Sequence, residues 1–377
     1  MGLLSSRILV TGADGFIGKN LVLRLKELLN VSVSTFVRGD DVSVLPRLVA
    51  QVDAVVHLAG ENRPADETAF AQVNIGLTSA LCYAIRQEFG NTGRHVPLVL
   101  ASSMQAARDN PYGRSKLAAE EAVQALGKET GNPCVIFRLP GVFGKWCKPN
   151  YNSVVATFCH NFARNLPIQI HDPMATLCLV YVDDVVEALL SALAAPSQGC
   201  VQAQVEPQYT TTLGELANQI RSFDECRSTL TTERVGVGFI RALYATYVSY
   251  LPKNRFSYEL KQAADSRGVF VEMLKTPDCG QFSYLTAHPG VTRGGHYHHT
   301  KTEKFLVITG EALFRLRHLL TNELVELKTS GRTPQVVETI PGWTHDITNV
   351  GDEELVVMIW ANESFDRDKP DTIASKV

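Results

Sequence analysis

Hydrophobic positions fall into two textures along this chain. Up to about residue 190, short runs of Val, Ile and Leu at 7–10, 31–37, 54–58, 96–101 and 134–139 alternate with helical periodicity at 20–29, 78–88 and 115–126. Runs apolar at nearly every position suit strands buried on both faces, and strands separated by helices build a parallel sheet. Residues 150–250 are less regular, with Asp183-Asp184 opening a helix through Ala194, and 254–265 reads as a connector. From Gly268 onward, short alternating strands are punctuated by Gly and Pro with almost no helical signal, the pattern of an all-β unit. The expected organisation is two domains, a doubly wound α/β unit over 1–250 and a β-barrel over 251–377.

The bulk numbers narrow the setting. A length of 377 residues suits two cores, and a hydrophobic fraction of 45% with 20% charged residues is ordinary for a soluble protein. A net charge of −3 and the lack of any Lys/Arg-rich run exclude a nucleic-acid groove. The eight cysteines are scattered without paired spacing, which fits free thiols in a reducing compartment. No apolar run approaches bilayer length, and Arg7 directly follows Leu3-Leu4-Ser5-Ser6, where a secretory segment would continue apolar. Gly2 with Ser6 matches a myristoylation pattern, a match short enough to arise by chance. A cytoplasmic protein without a membrane partner is expected.

Two constellations carry chemistry. Gly12, Gly15 and Gly18 follow the first strand and open the first helix, so this turn, with Phe16 and Ile17, can bring backbone to a pyrophosphate at the helix N-terminus. The 54–58 strand ends in Leu58 and Ala59, where a ribose or nicotinamide can lie. Ser102-Ser103 follows the 96–101 strand, and Tyr112 and Lys116 are spaced i, i+4 on one helix face. A neighbouring ammonium is expected to lower the Tyr112 pKa, while a strand-end serine orients the same carbonyl oxygen. Arg38 stands after the second strand, where an NAD-preferring site carries an acid. It can meet a 2′-phosphate, favouring NADPH, or stand solvated in a loop.

Near the C-terminus, His296 and His298 lie two apart on a strand and share a face, with Tyr297 and His299 on the other. Glu303 follows across a turn and His345 comes from a neighbouring strand. Three imidazoles and a carboxylate suit a first-row divalent metal, zinc ahead of iron.

These residues resemble known families. Thr11-Gly12-x-x-Gly15-x-x-Gly18, His57-Leu58-Ala59-Gly60, Ser102-Ser103, Tyr112-x-x-x-Lys116, Arg138-Leu139-Pro140-Gly141-Val142-Phe143-Gly144 and Tyr181-Val182-Asp183-Asp184-Val185 resemble the extended short-chain dehydrogenase/reductases that modify nucleotide sugars. The resemblance implies a Rossmann-type sheet with Tyr112 as proton donor, Lys116 as its partner and ribose anchor, and Ser103, or else Ser102, as carbonyl orienter. Gly290-x5-His296-x-His298-x4-Glu303-x6-Gly310 and Pro341-Gly342-x2-His345-x3-Asn349 are similar to the two cupin motifs, with Gln335 replacing the leading glycine of the second. They imply a cupin barrel with His296, His298, Glu303 and His345 as ligands.

The fusion is similar to bifunctional capsular polysaccharide enzymes of the CapF type, in the loop from Phe143 to Val155 as well. That resemblance implies a UDP-2-acetamido-2,6-dideoxy-4-hexulose substrate, epimerised at C3 by the cupin. NADPH then reduces it at C4 to a UDP-2-acetamido-2,6-dideoxy-L-talose of the UDP-N-acetyl-L-fucosamine pathway, in a homodimer. Lys145, Asn150, Tyr151 and Asn152 are candidate substrate contacts, and His299, Tyr297 and Lys301 candidate C3 bases. An epimerase or dehydratase with a non-catalytic sugar-binding or dimerising cupin is the alternative.

Overall fold

The computed structural model describes residues 6–377 apart from 64, 65, 67, 69, 197 and 367, so Gly2 of the myristoylation pattern lies outside the described residues. The chain forms two compact units, residues 1–220 with 242–251, and residues 221–241 with 252–377.

The first unit carries β1 (Ser6–Thr11), β2 (Val31–Phe36), β3 (Ala54–His57), β4 (Leu98–Ser103), β5 (Cys134–Leu139), β6 (Gly141–Phe143), β7 (Thr176–Tyr181), β8 (Cys200–Ala203) and β9 (Gln208–Thr212). Its main sheet is parallel in the order β2-β1-β3-β4-β5-β8, and β6-β7-β9 form a small second sheet. Its helices are α1 (Phe16–Lys26), α2 (Leu45–Gln51), α3 (Thr78–Thr92), α4 (Pro111–Thr130), α5 (Val154–Phe162) and α6 (Val182–Ala194), while α7 (Leu213–Thr229) and α8 (Gly238–Ser249) are each divided between the two units.

Alternation along the strands explains why both faces of the main sheet are covered. Ile8, Val10, Ala54 and Val56 pack with Leu21 and Leu25 of α1 and Val185 and Leu189 of α6. Leu9, Val55, Leu98 and Leu100 point the other way, onto α2, α3 and α4 through Val49, Ile85 and Val123. Strand order reverses at β1, so the crevice between the C-terminal ends of β1 and β3 is the switch point where doubly wound sheets bind ligands.

The second unit contains β10 (Gln262–Asp265), β11 (Gly268–Lys275), β12 (Gln281–Ala287), β13 (Thr292–Tyr297), β14 (Glu303–Thr309), β15 (Glu311–His318), β16 (Leu324–Ser330), β17 (Val336–Glu338), β18 (Trp343–Asn349), β19 (Leu355–Ala361) and β20 (Ile373–Ala374). They form two antiparallel sheets, β10-β11-β12-β19-β14-β17 and β16-β15-β18-β13-β20. Leu285, Phe305, Val357 and Ile359 of one sheet and Phe314, Leu316 and Ile347 of the other make a common core. The expected connector at 254–265 is in part a strand: β10, exposed at all four positions, is an edge that pairs with β11.

Buried polar bonds tie β4 to its neighbours. Ser102 donates to the Glu120 carboxylate at 2.5 Å, and Arg138 of β5 holds the same carboxylate through three contacts of 2.7–3.1 Å. Glu120 is 1% exposed. Glu120→Ala should therefore lower the urea-unfolding free energy of this unit by about 1–3 kcal/mol, because the buried Ser102 hydroxyl loses its acceptor while Arg138, 29% exposed along its side chain, can turn to water. Glu120→Gln, which keeps an acceptor, should cost less, and an unchanged Glu120→Ala midpoint would contradict this view.

Candidate active site and metal centre

The glycine turn is shaped for close approach. Gly12 has φ +70°, and a Cβ there would lie 2.6 Å from the Ala59 nitrogen; a Cβ on Gly18 would lie 2.2 Å from the Gly12 carbonyl. Gly15 caps α1 with no side-chain bond to its first N–H groups, which leaves those of Phe16 and Ile17 free of such a cap. Leu58 and Ala59 meet this turn through Leu58 N–H to Thr11 O and Ala59 N–H to Thr11 Oγ1. The turn fits a dinucleotide: its glycines let the chain fold tightly onto Ala59 and onto itself, at a helix N-terminus that no side chain caps.

A buried polar chain fixes the crevice. His57 Nδ1 is 2.6 Å from Thr11 Oγ1 and its Nε2 is 2.8 Å from Thr78 Oγ1. Burial, helped by the Lys116 charge, lowers the His57 pKa to about 3, so the ring is neutral.

Tyr112 and Lys116 both lie on α4, which starts four residues earlier than the periodicity predicts. Asn110 caps it by accepting from Gly113 N–H, and Pro111 occupies the first turn. The expectation that Lys116 lowers the tyrosine pKa is not met. Lys116 is 8% exposed, and its Nζ donates to the Ala101 carbonyl at 3.0 Å. Burial raises the Tyr112 pKa, and a hydrogen bond with Ser103 offsets this only in part. The group is thus a neutral phenol at pH 7. Of the two candidate serines, Ser103 is the one that acts on the Tyr112 phenol, whereas Ser102 donates to Glu120. Phe70 packs against the Tyr112 ring at 5.7 Å.

A cavity of about 700 Å³ opens beside Tyr112, lined also by Arg63, Gln105, Asn150, Tyr151, Asn152 and Gln169. Three of the four predicted substrate contacts therefore share a cavity with the tyrosine. Lys145 does not line it; its ammonium pairs with Asp183 at 2.5 Å. Arg38 is 87% exposed along its side chain, and its Nη2 pairs with Glu61 at 2.7 Å. Glu61 also accepts from the Tyr151 hydroxyl at 3.0 Å. Burial opposes its charge, but the Tyr151 and Arg38 contacts outweigh this and lower its pKa. Sequence spacing gave no sign of Glu61, because its partners lie 23 and 90 residues away.

In the second unit, His296 and His345 are register partners on β13 and β18, and Glu303 opens β14 in the facing sheet. His298 sits one residue beyond β13, and its ring centroid is 4.9 Å from that of His296. One donor atom from each of the four residues lies within 4.8 Å of all the others. His298 Nδ1 meets the Asp371 carbonyl, which requires a proton on Nδ1 and leaves Nε2 as a lone pair 3.4 Å from Glu303 Oε2. Both His345 ring nitrogens are buried without a hydrogen bond. Lone pairs converging in this way fit a cation held by His296, His298, Glu303 and His345. Burial and neighbouring His345 lower the His296 pKa to about 4, which keeps it a neutral ligand. Burial disfavours the Glu303 charge, while the Lys301 ammonium at 3.0 Å favours it and helps hold the carboxyl below its usual range.

Of the candidate bases, Lys301 is buried with Nζ 3.0 Å from Glu303, while exposed His299 lies 5.5 Å from the Tyr297 ring.

Two family models match the chain: the NAD dependent epimerase/dehydratase family over residues 8–205 and the polysaccharide biosynthesis C-terminal domain over 263–373. A UDP-2-acetamido-2,6-beta-L-arabino-hexul-4-ose reductase of Pseudomonas aeruginosa is 55% identical over 371 residues, covering 98% of this chain and 99% of that protein. The crystal structure of the capsular polysaccharide assembling protein CapF from Staphylococcus aureus is 40% identical with a TM-score of 0.88, covering 98% of this chain and 100% of that one. UDP-glucose 4-epimerase of Thermus thermophilus, solved with NAD, covers 65% of this chain and 98% of its own at 22% identity and a TM-score of 0.53, a likeness of fold alone. The chain belongs to the NAD dependent epimerase/dehydratase family, in the branch of CapF-type enzymes with a fused polysaccharide biosynthesis C-terminal domain. No described helix is long and apolar enough to cross a membrane.

Lys116 offers a pH test. Burial lowers its pKa from 10.5 to about 8. Below pH 8 it is charged in both states, and folding carries the full desolvation cost. Between 8 and 10.5 the unfolded chain binds more protons, so this group makes stability rise with pH. The difference in unfolding free energy between wild type and Lys116→Met should climb by about 3 kcal/mol over that window. A flat difference would refute the buried, charged lysine.

Proposed function

We propose that the chain is a bifunctional nucleotide-sugar enzyme that epimerises a UDP-2-acetamido-2,6-dideoxy-4-hexulose at C3 and then reduces its C4 ketone, yielding a UDP-2-acetamido-2,6-dideoxy-L-talose. Residues 1–250 carry the reductase and 251–377 the metal site. The observation that carries the reading is the placement of Tyr112, a phenol whose pKa burial raises, in the wall of the cavity that also holds Asn150, Tyr151 and Asn152. A phenol that keeps its proton suits an acid rather than a base, and so the reducing direction. The name of the Pseudomonas aeruginosa relative supports a 4-hexulose substrate.

In this reading the substrate ketone lies between Ser103 and Tyr112, and Tyr112 passes its proton to the oxygen as hydride reaches C4. NADPH, when bound, supplies that hydride. Lys116 holds its charge at the strand end and anchors the cofactor ribose. Arg38 uses one nitrogen on Glu61 and retains further donors for a 2′-phosphate, which favours NADPH over NADH. In the cupin, the C3 proton is α to the ketone; removing it and returning it on the other face inverts C3 with no change of oxidation state. A divalent metal, zinc by its donor set, would polarise the carbonyl. The cysteines described are all free thiols, which supports a cytoplasmic setting.

Incubation with the 4-keto UDP-sugar should oxidise NADPH in equal amount to product; no oxidation sinks the reductase. Tyr112→Phe should lower turnover about 100- to 10,000-fold while binding NADPH normally. Arg38→Ala should weaken NADPH about 10- to 100-fold and leave NADH unchanged. Deuterium from solvent should enter C3 in Tyr112→Phe enzyme. It should not do so once His296 and His298 are both Ala; exchange that persists there would refute metal-dependent epimerisation.

A further inference from the structure

The loop between two of the cluster residues, His298 and Glu303, has an unusual bonding pattern. Its backbone N–H groups all bond to distant parts of the unit. Those of His299, Thr300 and Lys301 converge on the Asp371 carboxylate at 2.7–3.2 Å, and the Thr300 hydroxyl adds a fourth donor. Thr302 N–H donates to Asn362 Oδ1, and Glu303 N–H to Thr339 Oγ1. A loop whose donors are all satisfied from outside takes its shape from those partners.

Asp371 does more than hold the loop. Its own carbonyl accepts from His298 Nδ1, which sets the tautomer and turns Nε2 toward the cluster. The chain that follows continues along the same site. β20 pairs Ile373 with Tyr297 and Ala374 with His296, and Ser375 N–H donates to the Gly295 carbonyl at 2.9 Å. The Ser375 carbonyl accepts from Thr344, next to His345, at 2.7 Å. The tail thus meets the chain at or beside each of the three histidines, although it supplies no member of the cluster.

We propose that the C-terminal tail sets the metal site, with Asp371 as a positioning residue that shapes the 299–301 loop and fixes the His298 ring so that His298 and Glu303 face one cation. This deepens the metal-binding reading above and rests on it. The tail is a latch laid over the ligand loop from outside the two-motif segment that supplies the ligands.

Zinc affinity of the full-length chain, measured by competition with a chromogenic chelator, tests it. Wild type should bind one zinc. Asp371→Ala should bind about 10- to 100-fold more weakly, with Asp371→Asn in between, since an amide keeps one acceptor oxygen but turns an N–H toward the loop. Backbone amide NMR shifts of strands β11, β12, β14, β15 and β19, in the same unit as Asp371, serve as the folding control. Zinc binding by Asp371→Ala within about twofold of wild type overturns the latch and leaves the metal site standing; no zinc binding by wild type overturns both. A second measurement needs no variant. Nitrogen-15 NMR of histidine-labelled, metal-free wild type should show His298 protonated on Nδ1, and a proton on Nε2 overturns the latch.

Discussion

Lys116 and Glu303 are charges held almost out of water, each 8% exposed, and the cost of desolvating them organises what surrounds them. Lys116 needs an acceptor, and the Ala101 carbonyl at the end of β4 provides one. That bond pins α4 to the strand end and brings Tyr112, one helical turn earlier, to Ser103. Glu303 needs donors or a cation, and it draws Lys301 and two imidazoles around it. In each unit a buried charge at the site requires partners from several elements, and those partners bring the reactive groups together.

The neutral polar groups of the crevice obey the same constraint at lower cost. His57 is buried between two hydroxyls and stays uncharged, so it can join β1, β3 and α3 without a counter-ion. Asn74 does similar work one layer out. It accepts from Glu61 N–H, donates to the Glu61 carbonyl and donates to Ser115, whose hydroxyl returns to the Tyr112 carbonyl. Through these bonds the start of α4 and the segment after β3 form one unit. A shift of Tyr112 is therefore opposed by backbone bonds as well as by packing.

The strands of the first sheet were legible because burial on both faces leaves unbroken apolar runs, and β5 falls on the residues the pattern predicts. The edge strand β10 was not legible: Gln262, Ala263, Ala264 and Asp265 bury nothing, so pairing with β11 leaves no hydrophobic trace. Gly12, Gly18, Tyr112 and Lys116 were legible because their geometry is local, set by a turn or one helix face. The effect of Lys116 on Tyr112 was misjudged, because the spacing that places both on one face says nothing of the Ala101 carbonyl that takes the ammonium. Glu61 and Asp371 were invisible for a related reason. Asp371 lies 72 residues from His299, and only the folded sheets bring them together.

Under the proposed function, the substrate ketone orders the chemistry. Tyr112 gives its proton to the forming alkoxide. That reduction removes the carbonyl on which chemistry at C3 depends. The C3 proton is acidic only while that ketone survives, because the carbanion left behind is stabilised as an enolate. Inversion at C3 must therefore precede reduction at C4, and the cupin must receive the ketone before the reductase consumes it. The substrate has to visit the C-terminal site first, although the chain carries the reductase first.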